Sequence, residues 1–367
     1  MAESQLRDPP LTPDPLTARG FDVRHVDLGL DVEGPYGCTL VMRSAAQWRA
    51  LNSGEAPTPS ASAARLVHGA LSQLPDGGAS IRAKIARDRA FVLYLHGWSD
   101  YFFHDHVASA FNAAGFDFCA VDLRKYGRSL REHHTATAID TLEDYCVEIG
   151  AAIAAMSEEC EGPRVPLVYA HSTGGLTAAL WAADHPGECS GLIFNSPWLD
   201  MHGGPVVRSL AAPIVDAVVK RDALRRILPS GHDFYARAHR SDRGGEWDWH
   251  DPYKPAHGFP FPASTLAAVI AAQARVATNV SIRESVLVAT SHRSSFRLRW
   301  ADSLVHADTV IDVRSTRRRA HHLGPRVRRV TIPGAAHDIA LSTVGPRHHF
   351  LREVADWLAT EWIQGGR

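Results

Sequence analysis

The sequence predicts an α/β protein in which a mostly parallel central sheet is flanked by helices. Two observations support this prediction. From residue 90 onward, short apolar runs alternate with stretches of helical periodicity, and the apolar runs are hydrophobic at consecutive positions rather than at every second one. Strands of that kind are covered on both faces, as in parallel sheets built from strand-helix-strand units. The chain of 367 residues, 45% hydrophobic and 22% charged, is long enough to bury such a core.

The N-terminal part of the chain precedes this rhythm. Residues 1–19 are rich in proline and contain few large apolar side chains, so we expect a disordered tail. We expect the folded domain to cover residues 20–367 and to begin with an antiparallel hairpin. Residues 21–32 alternate apolar and polar side chains, and a glycine-proline turn and a second apolar run follow them. Residues 65–88 carry only a weak helical pattern.

The strand-helix rhythm then runs along the chain with one interruption. Predicted strands cover residues 91–96, 116–123, 166–172, 191–197, 285–290 and 327–332. Predicted helices cover residues 106–114, 142–156, 176–183, 315–323 and 347–362. Between residues 198 and 278, two helical stretches around a polar loop rich in aromatic residues replace the rhythm. We therefore predict one sheet domain with a helical cap, or lid, inserted at about residues 198–278.

The charge balance argues against polyanionic partners. The chain has 39 basic and 40 acidic side chains, a net charge of -1, so no nucleic acid partner is predicted. The basic residues Arg317, Arg318, Arg319, Arg326, Arg328 and Arg329 form a local cluster. We interpret it as a solvated face, with weak contact to a membrane surface as the alternative. No apolar run is long enough for a secretory signal or a spanning helix, which predicts a cytoplasmic protein; the oligomeric state stays open.

The strongest chemical signal is the sequence VYAHSTGGL at residues 168–176. A strand leads to Ser172, small residues flank it and an alanine-rich helix follows, which is typical of a nucleophile elbow with the pattern G-x-S-x-G. Ala170 replaces the first glycine of this pattern, and Gly174 matches the second. Such an elbow places the serine hydroxyl at the C-terminal edge of the sheet and directs the Thr173 N–H toward an oxyanion. The alternative is a serine that only caps the helix.

A second turn, HGWSD at residues 96–100, follows the apolar run FVLYL. The chain from Phe91 to Ile339 resembles the α/β-hydrolase superfamily, especially its monoacylglycerol lipase and lysophospholipase branch. The residues that carry the resemblance are His96–Gly97, Asp122, the segment Tyr126–Ser129 through its Gly127 and Ser129, His171–Gly175 and Ser196–Pro197. Lys125 and Tyr126 depart from the D-x-x-G-H-G-x-S pattern of that branch, in a loop rather than at a catalytic position. The resemblance implies that the Trp98 N–H is the second oxyanion donor.

The resemblance further implies a carboxylate and then a histidine after the serine in chain order. His337, in the sequence PGAAHDIA at 333–340, is the predicted general base, and of the 21 histidines we expect only this one to act in catalysis. The predicted acid is Asp308, because residues 307–313 match the family's acidic block if an insertion precedes them. Asp302 and Asp312 are alternatives, and Asp308 could instead cap a helix.

Two further clusters invite interpretation. The stretch at residues 246–261 holds the aromatic residues Trp247, Trp249, Tyr253, Phe259 and Phe261. They either line an acyl or alcohol pocket or anchor the cap to the core. His104 and His106 resemble part of a metal-binding motif, but a helix would direct them to different faces. No metal and no cofactor are therefore predicted.

The expected function is that of a serine hydrolase for carboxylic esters. The resemblance implies small-molecule substrates similar to monoacylglycerols or lysophospholipids, cleaved through an acyl-enzyme intermediate. Two alternatives stay open. The same serine, histidine and aspartate could act on thioesters or transfer the acyl group to another acceptor, or the fold could serve as a non-catalytic ligand-binding protein.

Overall fold

The computed structural model describes residues 14–51, 58–159, 162–228, 232–278 and 280–365. Its eight-stranded sheet has the order β1-β2-β4-β3-β5-β6-β9-β10. The strands are β1 (Asp22–Asp31), β2 (Gly34–Arg43), β3 (Ala90–Leu95), β4 (Asp117–Asp122), β5 (Val165–His171), β6 (Gly191–Asn195), β9 (Val286–Ser291) and β10 (Val327–Ile332). Strand β2 is antiparallel to β1 and β4, and the other pairs are parallel. The predicted mostly parallel sheet is confirmed.

Helices cover both faces of this sheet. They are α1 (Ala45–Leu51), α2 (Pro59–Ser72), α3 (Ala79–Asp88), α4 (Asp105–Ala114), α5 (Cys146–Glu158), α6 (Thr173–Asp184), α7 (Gly204–Arg221), α8 (Phe234–His239), α9 (Ala263–Thr278), α10 (Val313–Ala320) and α11 (Val344–Trp357). None of the helices in the described ranges combines the length and the apolar character needed to cross a membrane.

The side chains of β3 show why its apolar run has no polar face. Phe91, Leu93 and Leu95 belong to one buried cluster, whereas Val92 and Tyr94 belong to the cluster on the opposite face of the sheet. Successive side chains of a strand point to opposite faces, so a strand between two helix layers is apolar at every position. The carboxyl ends of the parallel strands then form one edge of the sheet, where the polar turns collect.

The long connection between β6 and β9, residues 196–285, departs from the strand-helix rhythm. It contains α7, α8 and α9 together with the short antiparallel strands β7 (Arg226–Leu228) and β8 (Phe261–Pro262). We call it the connecting segment; it includes the predicted insertion at 198–278. Its own small apolar cluster joins α7 and α9 through Val215, Phe261, Leu266 and Ile270.

The start of the described chain corrects one expectation. Residues 14–19 were expected to be disordered together with residues 1–13, which lie outside the described ranges. Instead Leu16 is buried, and residues Thr17–Arg19 form a 3-10 turn. The carboxylate of Asp14 accepts a hydrogen bond from Arg128 Nε at 2.6 Å inside the protein. A buried side chain and a buried ion pair offset the entropy cost of ordering this short stretch.

Candidate active site

Ser172 lies in a sharp turn between β5 and α6. Its backbone has φ +54° and ψ -116°, a conformation that is strained for a residue with a side chain. A methyl group on Gly174 would lie 2.4 Å from the carbonyl oxygen of His96, and one on Gly175 would lie 2.7 Å from Pro197 Cβ. The small residues after the serine are therefore needed because the start of α6 packs directly on the ends of its neighbours.

Three of the predicted residues form a continuous chain of hydrogen bonds. The Ser172 Oγ lies 3.0 Å from His337 Nε2, and His337 Nδ1 lies 2.9 Å from Asp308 Oδ2. The other oxygen of Asp308 accepts hydrogen bonds from the backbone N–H groups of Val310 and Ile311, both at 2.8 Å. With Nδ1–H donating to the carboxylate, Nε2 is left to accept the serine proton.

The two alternative acids lie elsewhere. Asp312 caps α10, where its Oδ1 accepts a hydrogen bond from the Arg314 N–H at 3.0 Å. Asp302 is exposed and accepts a hydrogen bond from Trp300 Nε1 at 3.2 Å. Asp312, and not Asp308, therefore caps the helix that follows. Asp308 is the aspartate that contacts His337.

The two predicted oxyanion donors lie beside the serine. Thr173 is the first residue of α6, so its N–H has no partner within the helix. Trp98 follows Gly97, where an added methyl group would lie 3.0 Å from Ser172 Cβ, so this turn packs closely against the elbow. The Trp98 ring stacks on Phe261 with centroids 4.2 Å apart. The turn that carries Trp98 and the first residue of α6 therefore both lie next to Ser172.

A cavity of about 510 Å³ opens over Ser172 and His337. Its aromatic lining consists of Trp98, Trp198, Phe234, Tyr235, Trp249, Phe261 and Phe296. Several of these side chains come from the connecting segment. The segment therefore forms part of the wall above the serine.

Of the five aromatic residues predicted to line a pocket, only Trp249 and Phe261 do so. Trp247 donates from Nε1 to the Leu341 carbonyl at 2.7 Å, and its ring lies 4.2 Å from that of His106. Tyr253 packs edge-on against another tyrosine ring, and the Phe259 N–H donates to a serine hydroxyl. These three residues anchor the segment to the core, which the sequence pattern could not distinguish from lining.

A buried ion pair at the cavity was not predicted. Lys254 Nζ lies 2.6 Å from Asp100 Oδ1, and both side chains are almost fully buried. Burial by itself raises the pKa of Asp100, but the Lys254 ammonium and the surrounding histidines together outweigh burial and lower the pKa below its usual value. Within the described residues, Asp100 Oδ2 has no hydrogen-bond partner. The sequence offered one hint of this ion pair, because it contains only four lysines and Lys254 is one of them.

A second polar network lies beneath the elbow. Asp338 Oδ1 accepts a hydrogen bond from Asn195 Nδ2 at 2.7 Å, and its Oδ2 lies 3.1 Å from His104 Nε2. His106 Nε2 lies 2.9 Å from the Ala340 carbonyl oxygen. His104 and His106, which resemble part of a metal-binding motif in the sequence, thus form hydrogen bonds that hold the loop carrying His337. Sequence reasoning missed Asp338 and Asn195, whose partners are distant in the chain.

Within the described ranges, one group of side chains has metal-binding spacing. The potential ligand atoms of Asp100, His171 and Asp338 lie within 4.8 Å of one another. However, Lys254 already neutralises Asp100, and Asp338 accepts hydrogen bonds from its own partners. His171 Nδ1 lies 3.0 Å from the carbonyl oxygen of Asn195, so this ring belongs to the same network. We assign the group to the hydrogen-bond network that supports the elbow.

Comparison with solved structures shows the fold. A soluble variant of monoglyceride lipase from Saccharomyces cerevisiae, in complex with a substrate analog, has a TM-score of 0.57 at 15% identity, with 92% of this chain and 96% of that chain covered. Monoacylglycerol lipase from Paleococcus ferrophilus has a TM-score of 0.56 at 20% identity, with 76% and 96% covered. A thermostable carboxyl esterase from Bacillus coagulans, in complex with glycerol, has a TM-score of 0.59 at 13% identity, with 93% and 99% covered.

Sequence comparison shows the family. A monoacylglycerol lipase of Mycolicibacterium smegmatis is 31% identical over 136 residues. The match covers 36% of this chain and 44% of that protein, so the chain spans less than half the length of this curated relative. Residues 86–343 match the family model described as serine aminopeptidase, S33. Because that match extends over most of the chain, the protein belongs to the serine aminopeptidase S33 family, within the α/β-hydrolases that its sequence motifs resemble.

Proposed function

We propose that the protein hydrolyses carboxylic esters with Ser172 as nucleophile. The observation that carries this proposal is the unbroken hydrogen-bond chain from Ser172 through His337 to Asp308 at a cavity large enough for a small ester. A serine that only capped α6 would need neither the strained backbone nor a histidine whose far nitrogen is held by a buried carboxylate. The same geometry argues against a non-catalytic binding protein.

In the proposed reaction, the Ser172 Oγ attacks the ester carbonyl carbon while His337 Nε2 takes the hydroxyl proton. Asp308 fixes the histidine tautomer and stabilises the imidazolium that forms. The Trp98 and Thr173 N–H groups donate to the oxyanion. The bond to the alcohol oxygen then breaks, His337 returns the proton to the alcohol, and an acyl-enzyme remains. Water activated by the same histidine cleaves it and restores the serine.

We further propose that the substrate is a lipophilic acyl ester of a polar alcohol, such as a monoacylglycerol or a lysophospholipid. The aromatic lining suits a hydrocarbon chain, and the charged pair of Asp100 and Lys254, which also lines the cavity, suits a hydroxyl group. The monoacylglycerol lipase activity named for the Mycolicibacterium smegmatis relative supports the same class. In this proposal the connecting segment acts as a cap over Ser172.

Labelling with a fluorophosphonate probe tests the proposed nucleophile. We expect the wild-type protein to be labelled at Ser172 and to hydrolyse p-nitrophenyl esters, and Ser172→Ala to do neither. Ser72→Ala is the matched control, because Ser72 is exposed at the end of α2 and does not line the cavity. It should retain labelling and turnover. An unlabelled but folded wild-type protein would contradict the proposal and favour ligand binding without catalysis.

A further inference from the structure

The loop of residues 295–307 lies between β9 and Asp308 and is closed at its base. Ser294 and Asp308 form a β-bridge; the Ser295 N–H donates to the Asp308 carbonyl at 2.8 Å, and the Asp308 N–H donates to the Arg293 carbonyl at 3.0 Å. The Ser294 hydroxyl also accepts a hydrogen bond from the Val313 N–H at 2.9 Å. Asp308 is therefore held by residues on either side of the loop. We call residues 295–307 the acid loop.

Aromatic contacts hold the acid loop against the connecting segment. The Phe296 ring lies 3.7 Å from that of His202, edge to face. The Trp300 ring lies 5.9 Å from Phe234 and 4.8 Å from the guanidinium of Arg237. Both partners of Trp300 belong to α8. The loop and the connecting segment therefore form one continuous wall of the cavity.

The acid loop carries apolar surface at this wall. Phe296 and Leu298 line the cavity that contains Ser172, yet their side chains are 48% and 86% exposed. Val310, just beyond the loop, also lines the cavity and is 44% exposed. Exposed apolar side chains grouped at the rim of a cavity gain free energy when a ligand covers them. Because these side chains line the same cavity as Ser172, the ligand that would cover them is the apolar part of the substrate.

We propose that the acid loop sets the chain-length preference of the enzyme, because Phe296 and Leu298 bind the distal part of the substrate's hydrocarbon chain. This proposal rests on the proposed ester hydrolysis at Ser172. A short acyl chain stays near the serine and does not need the loop, whereas a chain that reaches the rim covers both side chains. The loop thus contributes to specificity without touching the reacting atoms.

The test compares the double variant F296A/L298A with wild type on p-nitrophenyl esters from acetate to dodecanoate, all below their aggregation concentration. We expect kcat/KM for the acetate ester to stay within about twofold and that for the dodecanoate ester to fall roughly tenfold, mainly through KM. Val32→Ala is the matched control, because Val32 is 92% exposed in the turn between β1 and β2. It should leave both values unchanged.

A second variant examines the loop as a whole. Residues 296–306 are replaced by a short glycine-serine linker, which leaves the bridge between Ser294 and Asp308 in place. This variant should keep fluorophosphonate labelling while losing its preference for long chains. The proposal would be overturned if F296A/L298A lost kcat/KM equally for every chain length. It would also be overturned if the variant lost activity only on esters presented in vesicles and not on the dissolved long-chain esters. Failure of wild-type labelling would instead overturn the proposed function, so the two failures are distinguishable.

Discussion

At the scale of single residues, the proposed chemistry depends on which atoms Asp308 offers to His337. The carboxylate is fully buried, accepts two backbone N–H groups on one oxygen and leaves the other for His337 Nδ1. The two backbone donors fix the direction of the group, and its charge stabilises an imidazolium in a buried environment. An uncharged side chain of the same shape, such as asparagine, could keep the two backbone hydrogen bonds but would lose the charge that stabilises the imidazolium.

Asp308→Asn is therefore expected to lower kcat for p-nitrophenyl esters by three to four orders of magnitude, on the order of other serine hydrolases that lose their acid. The amide can present its N–H to Nδ1, which stabilises the wrong histidine tautomer. Asp302→Asn and Asp312→Asn are the matched controls and should stay within a few-fold of wild type, since asparagine also caps helices well. If either control lost orders of magnitude while Asp308→Asn did not, the assigned acid would be wrong.

At the scale of elements, Asn195 connects the strand before the serine to the loop of the histidine. It ends β6, and its carbonyl accepts the Ser172 N–H at 3.1 Å. Its side chain donates to Asp338 and accepts the Ile339 N–H at 3.1 Å. One residue therefore joins the elbow and the histidine loop, which sets the distance between Ser172 and His337.

Asn195→Ala should lower kcat by about 10- to 100-fold with little change in KM, because small displacements of reacting groups carry penalties of this size. The free energy of unfolding should fall by about 1–3 kcal/mol, since buried polar partners lose their hydrogen bonds. Asn112→Ala is the matched control, because Asn112 is equally buried and its side chain accepts from Arg43 Nε at 2.8 Å, far from the cavity.

The two variants are compared by urea unfolding and by steady-state kinetics at a temperature at which both are folded. Asn112→Ala should show a similar loss of stability and an unchanged kcat. Equal effects of both substitutions on kcat would mean that Asn195 contributes only to stability and does not position the histidine.

At the scale of the whole molecule, the many histidines affect stability more than chemistry. Burial lowers the pKa of His171 to about 4 and that of His239 to about 3. Burial also lowers the pKa of His96 and His106. These rings are neutral in the folded protein, while the same residues become protonated near pH 6.5 in the unfolded chain. Folding stability is therefore fully present above that pH and is lost as the pH falls.

The free energy of unfolding should decrease by about 1 kcal/mol per pH unit for His171, and by a similar amount for His239, between pH 6 and pH 5, because folded pKa values of about 4 and about 3 keep both rings neutral there. Urea unfolding at several pH values measures this slope. His239→Phe should reduce the slope by about that amount, since His239 is fully buried. Asn112→Ala, a substitution of a buried side chain that does not titrate, is the control and should leave the slope unchanged. An unchanged slope in His239→Phe would contradict the proposed origin of the pH dependence.

The sequence alone determined the features that local patterns encode. Consecutive apolar positions predicted the parallel sheet, because a strand between two helix layers has no polar face. The steric demands of a tight turn pointed to Ser172 through the small residues at 170, 174 and 175. The motifs at 96–100 and 333–340 pointed to the turns beside it, and the family comparisons confirm the resemblance that these motifs carried.

Only the tertiary structure decided matters that depend on residues far apart in the chain. The sequence predicted Asp308 by assuming an insertion before it but left Asp302 and Asp312 open, and only the closed base of the acid loop places Asp308 beside His337. Which aromatic residues line the cavity and which anchor the connecting segment depends on partners such as Leu341, and Asp14 is ordered by Arg128. Hydrogen bonds and ion pairs form between whichever groups the packed core brings together. Local periodicity records which face of an element is buried but not its distant partner.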